Sequence, residues 1–173
     1  GAKHAGTFGA IGCYSFYPTK NLGALGDAGA LITNDPTLSA KLGELRTYGW
    51  SGKYRIAVGG GRNSRMDELQ AAVLRVKLPH VDAWNRRRRA VADRYLDTLT
   101  NPAIVLPPRV AAAEARADVA HLFVVRTNAR DDLRAHLAST AVATDVHYPV
   151  PDYSQAAWTR GRSMPNLERT ERA

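Results

Sequence analysis

An α/β fold is what this sequence predicts, and three features predict it. Two short apolar runs, residues 13–17 and 28–33, have the length and side-chain content of buried strands. A helix start follows the second run at once: in Asn34-Asp35-Pro36 the aspartate can cap free N–H groups and the proline suits the first helical position. Further on, residues 121–127, 131–139 and 141–148 alternate strand, helix and strand, which makes a second α/β unit.

The first run carries two aromatic rings near its end and stops at Pro18, which has no N–H for a ladder and restricts the residue before it. Lys20 follows, and glycines recur at 23, 26 and 29. Both runs are expected to be central strands of a parallel sheet whose neighbours precede residue 1. The helix after Pro36 should turn Leu38, Leu42 and Leu45 to one face and end near Gly49. Residues 50–63 are a loop rich in Gly, Lys and Arg, with three successive glycines at 59–61. Such a stretch suits either a flexible surface loop or an arm that binds an anion or a partner.

Residues 66–77 predict a helix with Leu69, Ala72, Val73 and Val76 inward and Ser64 or Asp67 near its cap. Pro79 interrupts the path, and a long helix follows to about residue 99 with Val81, Trp84, Val91, Tyr95 and Leu99 inward. Arg86 to Arg89 cover every face of one turn, so most of them belong to a solvated surface. The proline-rich stretch 101–108 is the expected domain junction, dividing the chain into 1–100 and 101–173. After residue 148 the prolines and the polar tail promise no further regular core.

The net charge is +8, and arginine supplies most of it, since only five of the 24 basic residues are lysines. The basic residues are dispersed apart from Arg86 to Arg89, with no zinc-finger spacing or RNA-binding aromatic signature, which argues against nucleic acid. A phosphorylated small substrate suits the charge at least as well. A single cysteine, Cys13, excludes an internal disulfide framework and suits a reducing compartment, so a cytoplasmic location is expected. No apolar run approaches a bilayer span, and no membrane association is expected. The five histidines show no metal-ligand spacing, so no metal site is expected.

Lys20 is the residue with the sharpest chemical meaning. A lysine just past a strand end can be held in place and partly desolvated, and desolvation favours the neutral amine that attacks a carbonyl. The plainer reading is a surface lysine in a glycine-rich turn. The surrounding string decides between them. Ser15-Phe-Tyr-Pro-Thr-Lys20-Asn-Leu-Gly23, followed by Gly26-Asp-Ala-Gly-Ala-Leu-Ile-Thr-Asn-Asp35, closely resembles the lysine segment of the DegT/StrS-type nucleotide-sugar aminotransferases. The likeness continues through Arg46-Thr-Tyr-Gly-Trp-Ser-Gly-Lys-Tyr-Arg55, Asn63-Ser-Arg-Met-Asp-Glu-Leu-Gln-Ala-Ala72 and Trp84-Asn-Arg-Arg-Arg88. Arg130-Asp131 with Leu133 and His136, and His147-Tyr-Pro-Val-Pro151, extend it further.

The resemblance implies part of a fold-type-I pyridoxal-phosphate transferase: the later part of the large three-layer α/β domain, a bridging helix, and most of the small α/β domain. It implies transfer of an amino group, with glutamate as donor, to a keto-sugar linked to a nucleotide. By the same resemblance Lys20 is the catalytic lysine that binds pyridoxal 5′-phosphate covalently, Ser15 binds its phosphate, and Asn63 reaches that phosphate from the other subunit of a homodimer. His147 and Tyr148 match a region near the sugar nucleotide. The family pattern departs at Tyr153, where a histidine is common, and at Arg62, where an aromatic is common. The acidic partner of the cofactor's pyridine nitrogen, an Asp with a nearby Gln, lies in the family just upstream of the segment that starts here at Gly1. An interior piece of a longer enzyme, inactive alone, is therefore expected. Two other readings compete. Sugar dehydratases of the same fold carry a histidine at the lysine position, which Lys20 opposes. A non-catalytic basic binding or regulatory module draws only on the charge and on the missing acidic partner.

Overall fold

The computed structural model describes residues 3–109, 118–159 and 167–171. It divides into two compact units, Gly1–Arg94 with Val110–Leu122, and Tyr95–Arg109 with Phe123–Ala173. Helices and strands are mixed, as the α/β expectation requires.

In the first unit, β1 (Gly12–Ser15) pairs antiparallel with β2 (Gly29–Ile32), in a register that sets Gly12 against Ile32 and Ser15 against Gly29. The expectation of two parallel central strands is corrected here. A parallel pair needs a long crossover, usually a helix. The chain between β1 and β2 instead folds into a compact loop and returns alongside the strand it left, with Phe16 N donating to Ala28 O at 2.8 Å.

α1 (Pro36–Arg46) forms as its sequence dictates. Asp35 Oδ1 accepts from the backbone N–H groups of Thr37 and Leu38, at 2.8 and 3.1 Å, and Pro36 occupies the first turn where no donor is lost. Leu38, Leu42 and Leu45 share a half-buried face. Gly49 closes the helix end: it stands at φ +78°, and its N–H donates to Glu44 O at 2.8 Å.

Residues 50–63 are not wholly irregular. β3 (Trp50–Gly52) and β4 (Arg55–Ile56) make a small antiparallel hairpin. Its rings explain why it holds. Trp50 packs on Tyr48 and Tyr54, with centroids 5.1 and 5.4 Å apart, and the Arg65 guanidinium lies 5.6 Å from the Tyr48 ring. Beyond the glycines the chain returns to the end of α1. Arg62 N donates to Leu45 O and Ser64 N to Arg46 O, each at 3.0 Å, which satisfies carbonyls that a helix end leaves without partners.

α2 (Glu68–Lys77) is present, but its inner face differs from the one the apolar spacing predicts. Leu69, Ala72 and Val76 are exposed and Val73 is half-buried. The covered side is Gln70, Ala71, Leu74 and Lys77, with Leu74 buried. The cause is polar. Gln70 and Lys77 bind backbone groups of the loop between β1 and β2, and that need sets the rotation of the helix.

α3 (Val81–Thr98) supplies residues to both units. Val81 and Trp84 are half-buried as expected, while Val91, Tyr95 and Leu99 are exposed. Its most buried residue is polar, Asn85. Among the four successive arginines only Arg89 is half-buried, and its guanidinium donates to Asp118 O at 3.4 Å.

The second unit corrects two further expectations. Residues 121–127 form no strand; Val105 and Arg126 exchange both backbone hydrogen bonds, at 2.8 and 3.0 Å, in one isolated bridge. Prolines at 102, 107 and 108 flank Val105 and lack the donors a longer ladder needs. Residues 141–148 likewise form no strand. The helix between them is present as α4 (Arg130–Ser139), with Leu133 and Leu137 half-buried. Short helices α5 (Ala156–Thr159) and α6 (Glu168–Glu171) follow.

Candidate active site

Residues 16–28 are the loop on which Lys20 stands, held by backbone hydrogen bonds within it and by side chains from two helices. Tyr17 and Pro18 open a tight turn that Lys20 closes, its N–H donating to Tyr17 O at 2.8 Å. Ala24 N then donates to Phe16 O at 2.8 Å, which returns the chain to the end of β1. Gly23 makes that return possible. A Cβ there would overlap the Pro18 carbonyl, so only glycine lets the two backbone segments lie together.

Three side chains from α2 and α3 fasten the loop. Gln70 Oε1 accepts from Leu25 N at 2.8 Å, and Lys77 Nζ donates to Gly23 O at 2.7 Å. From α3, Asn85 Oδ1 accepts from Asn21 Nδ2 at 2.8 Å. The same Asn21 amide donates to Val119 O at 2.9 Å and accepts from His121 Nδ1 at 3.1 Å. Ala24 is one of two buried apolar residues among those described, so the loop is packed as well as bonded.

On this fixed turn Lys20 is half-buried, and among the described residues its Nζ has no hydrogen-bond or ion-pair partner. Ser15, at the end of β1, is exposed; its Oγ accepts from Tyr17 N at 3.3 Å, which leaves the hydroxyl proton uncommitted. A primary amine on the turn and a hydroxyl donor at the adjoining strand end suit an aldehyde and a phosphate respectively, the reacting group and the anionic anchor of pyridoxal phosphate. The donor set fits that cofactor.

Asn63 lies on the segment that pairs with the end of α1, bridged to Thr47, and its side chain is exposed. Its Oδ1 accepts from Arg65 Nε at 3.2 Å, so its amide donors remain available. His147 and Tyr148 belong to the second unit, with rings edge to face at 5.5 Å and Tyr148 exposed. Arg130, at the start of α4, holds the Asp131 carboxyl below the usual range through a hydrogen bond and its charge, and both groups are exposed. A shallow cavity of about 400 Å³ in the second unit, lined by Arg134, Ala138 and residues 141–144, contains none of these groups. Among the described residues, no three His, Cys, Asp or Glu side chains come together as metal ligands. No described helix is long and apolar enough to cross a membrane.

The whole chain, residues 1–173, matches the DegT/DnrJ/EryC1/StrS aminotransferase family. The chain belongs to this family. It is 45% identical over 172 residues to a dTDP-3-amino-3,4,6-trideoxy-α-D-glucose transaminase of Streptomyces venezuelae, covering 98% of this chain and 44% of that protein. In structure it superimposes on S. venezuelae DesV, solved in complex with a ketimine intermediate, with a TM-score of 0.81 and 44% identity over 94% of this chain and 44% of DesV. It also superimposes on NtdA from Bacillus subtilis, solved with the cofactor PMP, with a TM-score of 0.78 and 29% identity over 89% of this chain and 36% of NtdA. The chain thus spans less than half the length of these relatives. Its fold is part of the fold-type-I architecture, and pyridoxal phosphate is the cofactor of its family.

The lysine string is legible in sequence, but the residues that hold it are not all so. Asn21 stands inside the string without a role that spacing could assign. Its partners lie 64 and about 100 positions away, and only the fold brings them together.

Proposed function

We propose that this chain is the lysine-bearing segment of a pyridoxal-phosphate-dependent aminotransferase that acts on a nucleotide-linked keto-sugar, with glutamate as amino donor. One observation carries the proposal. Lys20 stands half-buried, with an unpartnered amine, on a turn fastened from two helices, in a chain that belongs throughout to an aminotransferase family. The bound cofactor supplies an electron sink that neutral side chains cannot provide.

The chain's own groups have separate tasks. Lys20 Nζ is the amine that would hold the cofactor's aldehyde. When not so engaged it is a general base, positioned to take the proton from Cα of the amino donor and return it. Ser15 Oγ would donate to the cofactor phosphate from the strand end. Asn63 would reach that phosphate in the other subunit of a homodimer, using the amide donors that Arg65 leaves free. His147 and Tyr148 would face the sugar nucleotide. Catalysis would take place in the cytoplasm.

The test uses the full-length protein that contains this segment. Lys20→Ala should lose the visible absorption of bound cofactor and all turnover of a nucleotide keto-sugar with glutamate. Retention of both in that variant contradicts the proposal. Mixing Asn63→Ala and Lys20→Ala subunits should restore part of the activity, because a heterodimer would contain one intact site. Absence of any recovery after proven subunit exchange rules out a shared site.

A further inference from the structure

Both donors of the Asn21 amide are occupied within the protein. Both hydrogens of Nδ2 are used, one on Asn85 Oδ1 at 2.8 Å and one on Val119 O at 2.9 Å, and Oδ1 accepts from His121 Nδ1 at 3.1 Å. Asn85, the receiving residue on α3, is the one buried polar residue among those described. No donor of Asn21 remains for a cofactor or substrate. Its place in the chain, directly after Lys20, gives the arrangement its consequence.

We infer that Asn21 is a positioning residue for Lys20, fixing the turn that carries the lysine by locking it to Asn85 on α3 and to the segment of Val119 and His121. The inference rests on the assignment of Lys20 proposed above. The turn has few other restraints at this point. The Lys20 N–H is bonded only within the turn, and the next anchors toward either helix are at Gly23 and Leu25. Without the Asn21 lock, the peptide that joins Lys20 to the protein would be held from one side only. The lysine would then sample orientations in which its amine is not presented to an aldehyde. Low local dielectric at a buried partner makes such a bond matter more than its exposed counterpart.

Two variants of Asn85 separate positioning from general stability. Asn85→Ala removes the acceptor, whereas Asn85→Asp keeps an oxygen able to accept from Asn21 Nδ2. Both lose the side-chain amide of Asn85 and should lower thermal stability. In the full-length, cofactor-free protein, Asn21→Ala and Asn85→Ala should quicken hydrogen exchange of the Lys20 and Ala24 amides by about tenfold. On addition of pyridoxal phosphate, the borohydride-trapped adduct at Lys20 should form about tenfold more slowly in both, and no more slowly in the double variant. Asn85→Asp should restore the rate to within about threefold of wild type despite its lowered melting temperature. Should Asn21→Ala fail to fold, the comparison of the two Asn85 variants carries the same decision.

Wild-type rates of exchange and adduct formation in Asn21→Ala and Asn85→Ala would overturn the inference. So would equal slowing in Asn85→Ala and Asn85→Asp, which would mark a merely structural role. A wild-type protein that forms no adduct at Lys20 would instead overturn the lysine assignment, and any positioning role with it.

Discussion

The proposed chemistry of this chain rests on one backbone turn that is pinned from several directions. Lys77 illustrates how. Its Nζ donates to Gly23 O at 2.7 Å in a partly buried setting, so the second lysine of the region is spent on structure while Lys20 keeps its amine free. Gly23 is the complementary restraint, because any side chain there meets the Pro18 carbonyl. Gly23→Ala should therefore cost about 1–3 kcal/mol, the usual range for forcing an extra group into a packed site. Urea denaturation of the full-length variant measures this. A loss well below that range would show that the Pro18 turn can move aside. The motif itself was legible in the sequence, since strand end, proline, lysine and spaced glycines are all local. Asn21 was not, because its meaning depends on residues far along the chain.

Among the elements, α1 is the one whose boundaries follow most directly from sequence. The Asp35 side chain and Pro36 act within one turn, and no distant contact is needed to recognise them. Asp35→Ala should destabilise the protein by about 1 kcal/mol, whereas Asp35→Ser should recover most of that loss. Thermal melts of the two variants side by side check this; equal melting temperatures for Ala and wild type would contradict it. α2 shows why the same reading failed elsewhere. Apolar periodicity counts Leu69, Ala72, Val73 and Val76, but the helix turns Gln70 and Lys77 inward to satisfy loop backbone groups. Counting apolar residues cannot foresee that a neighbouring loop will demand polar ones. Strand direction was missed for a related reason. β1 and β2 have the composition of strands in any sheet, and their antiparallel pairing is set by how residues 16–28 fold between them. The strands expected at 121–127 and 141–148 have suitable residues, yet only Val105 meets Arg126, between prolines that stop the ladder from growing.

At the scale of the molecule, the described residues bury little apolar surface. Ala24 and Leu74 are the only buried hydrophobic residues among them, while Leu25, Leu69 and Val76 remain 68%, 67% and 71% exposed. The 173-residue chain purified alone should bind a hydrophobic dye and unfold without a sharp transition; a cooperative melt with no dye binding would contradict this. The apolar side of α2 and the outer edges of β1 and β2 are then surfaces that the rest of the protein would have to cover. The central claim, however, concerns one nitrogen atom. The full-length protein should be loaded with pyridoxal phosphate, reduced with borohydride and digested, and the modified lysine located by mass spectrometry. The adduct should lie on the peptide containing Lys20 and on no other; stoichiometric modification at Lys41, Lys53 or Lys77 with Lys20 unmodified would contradict the account.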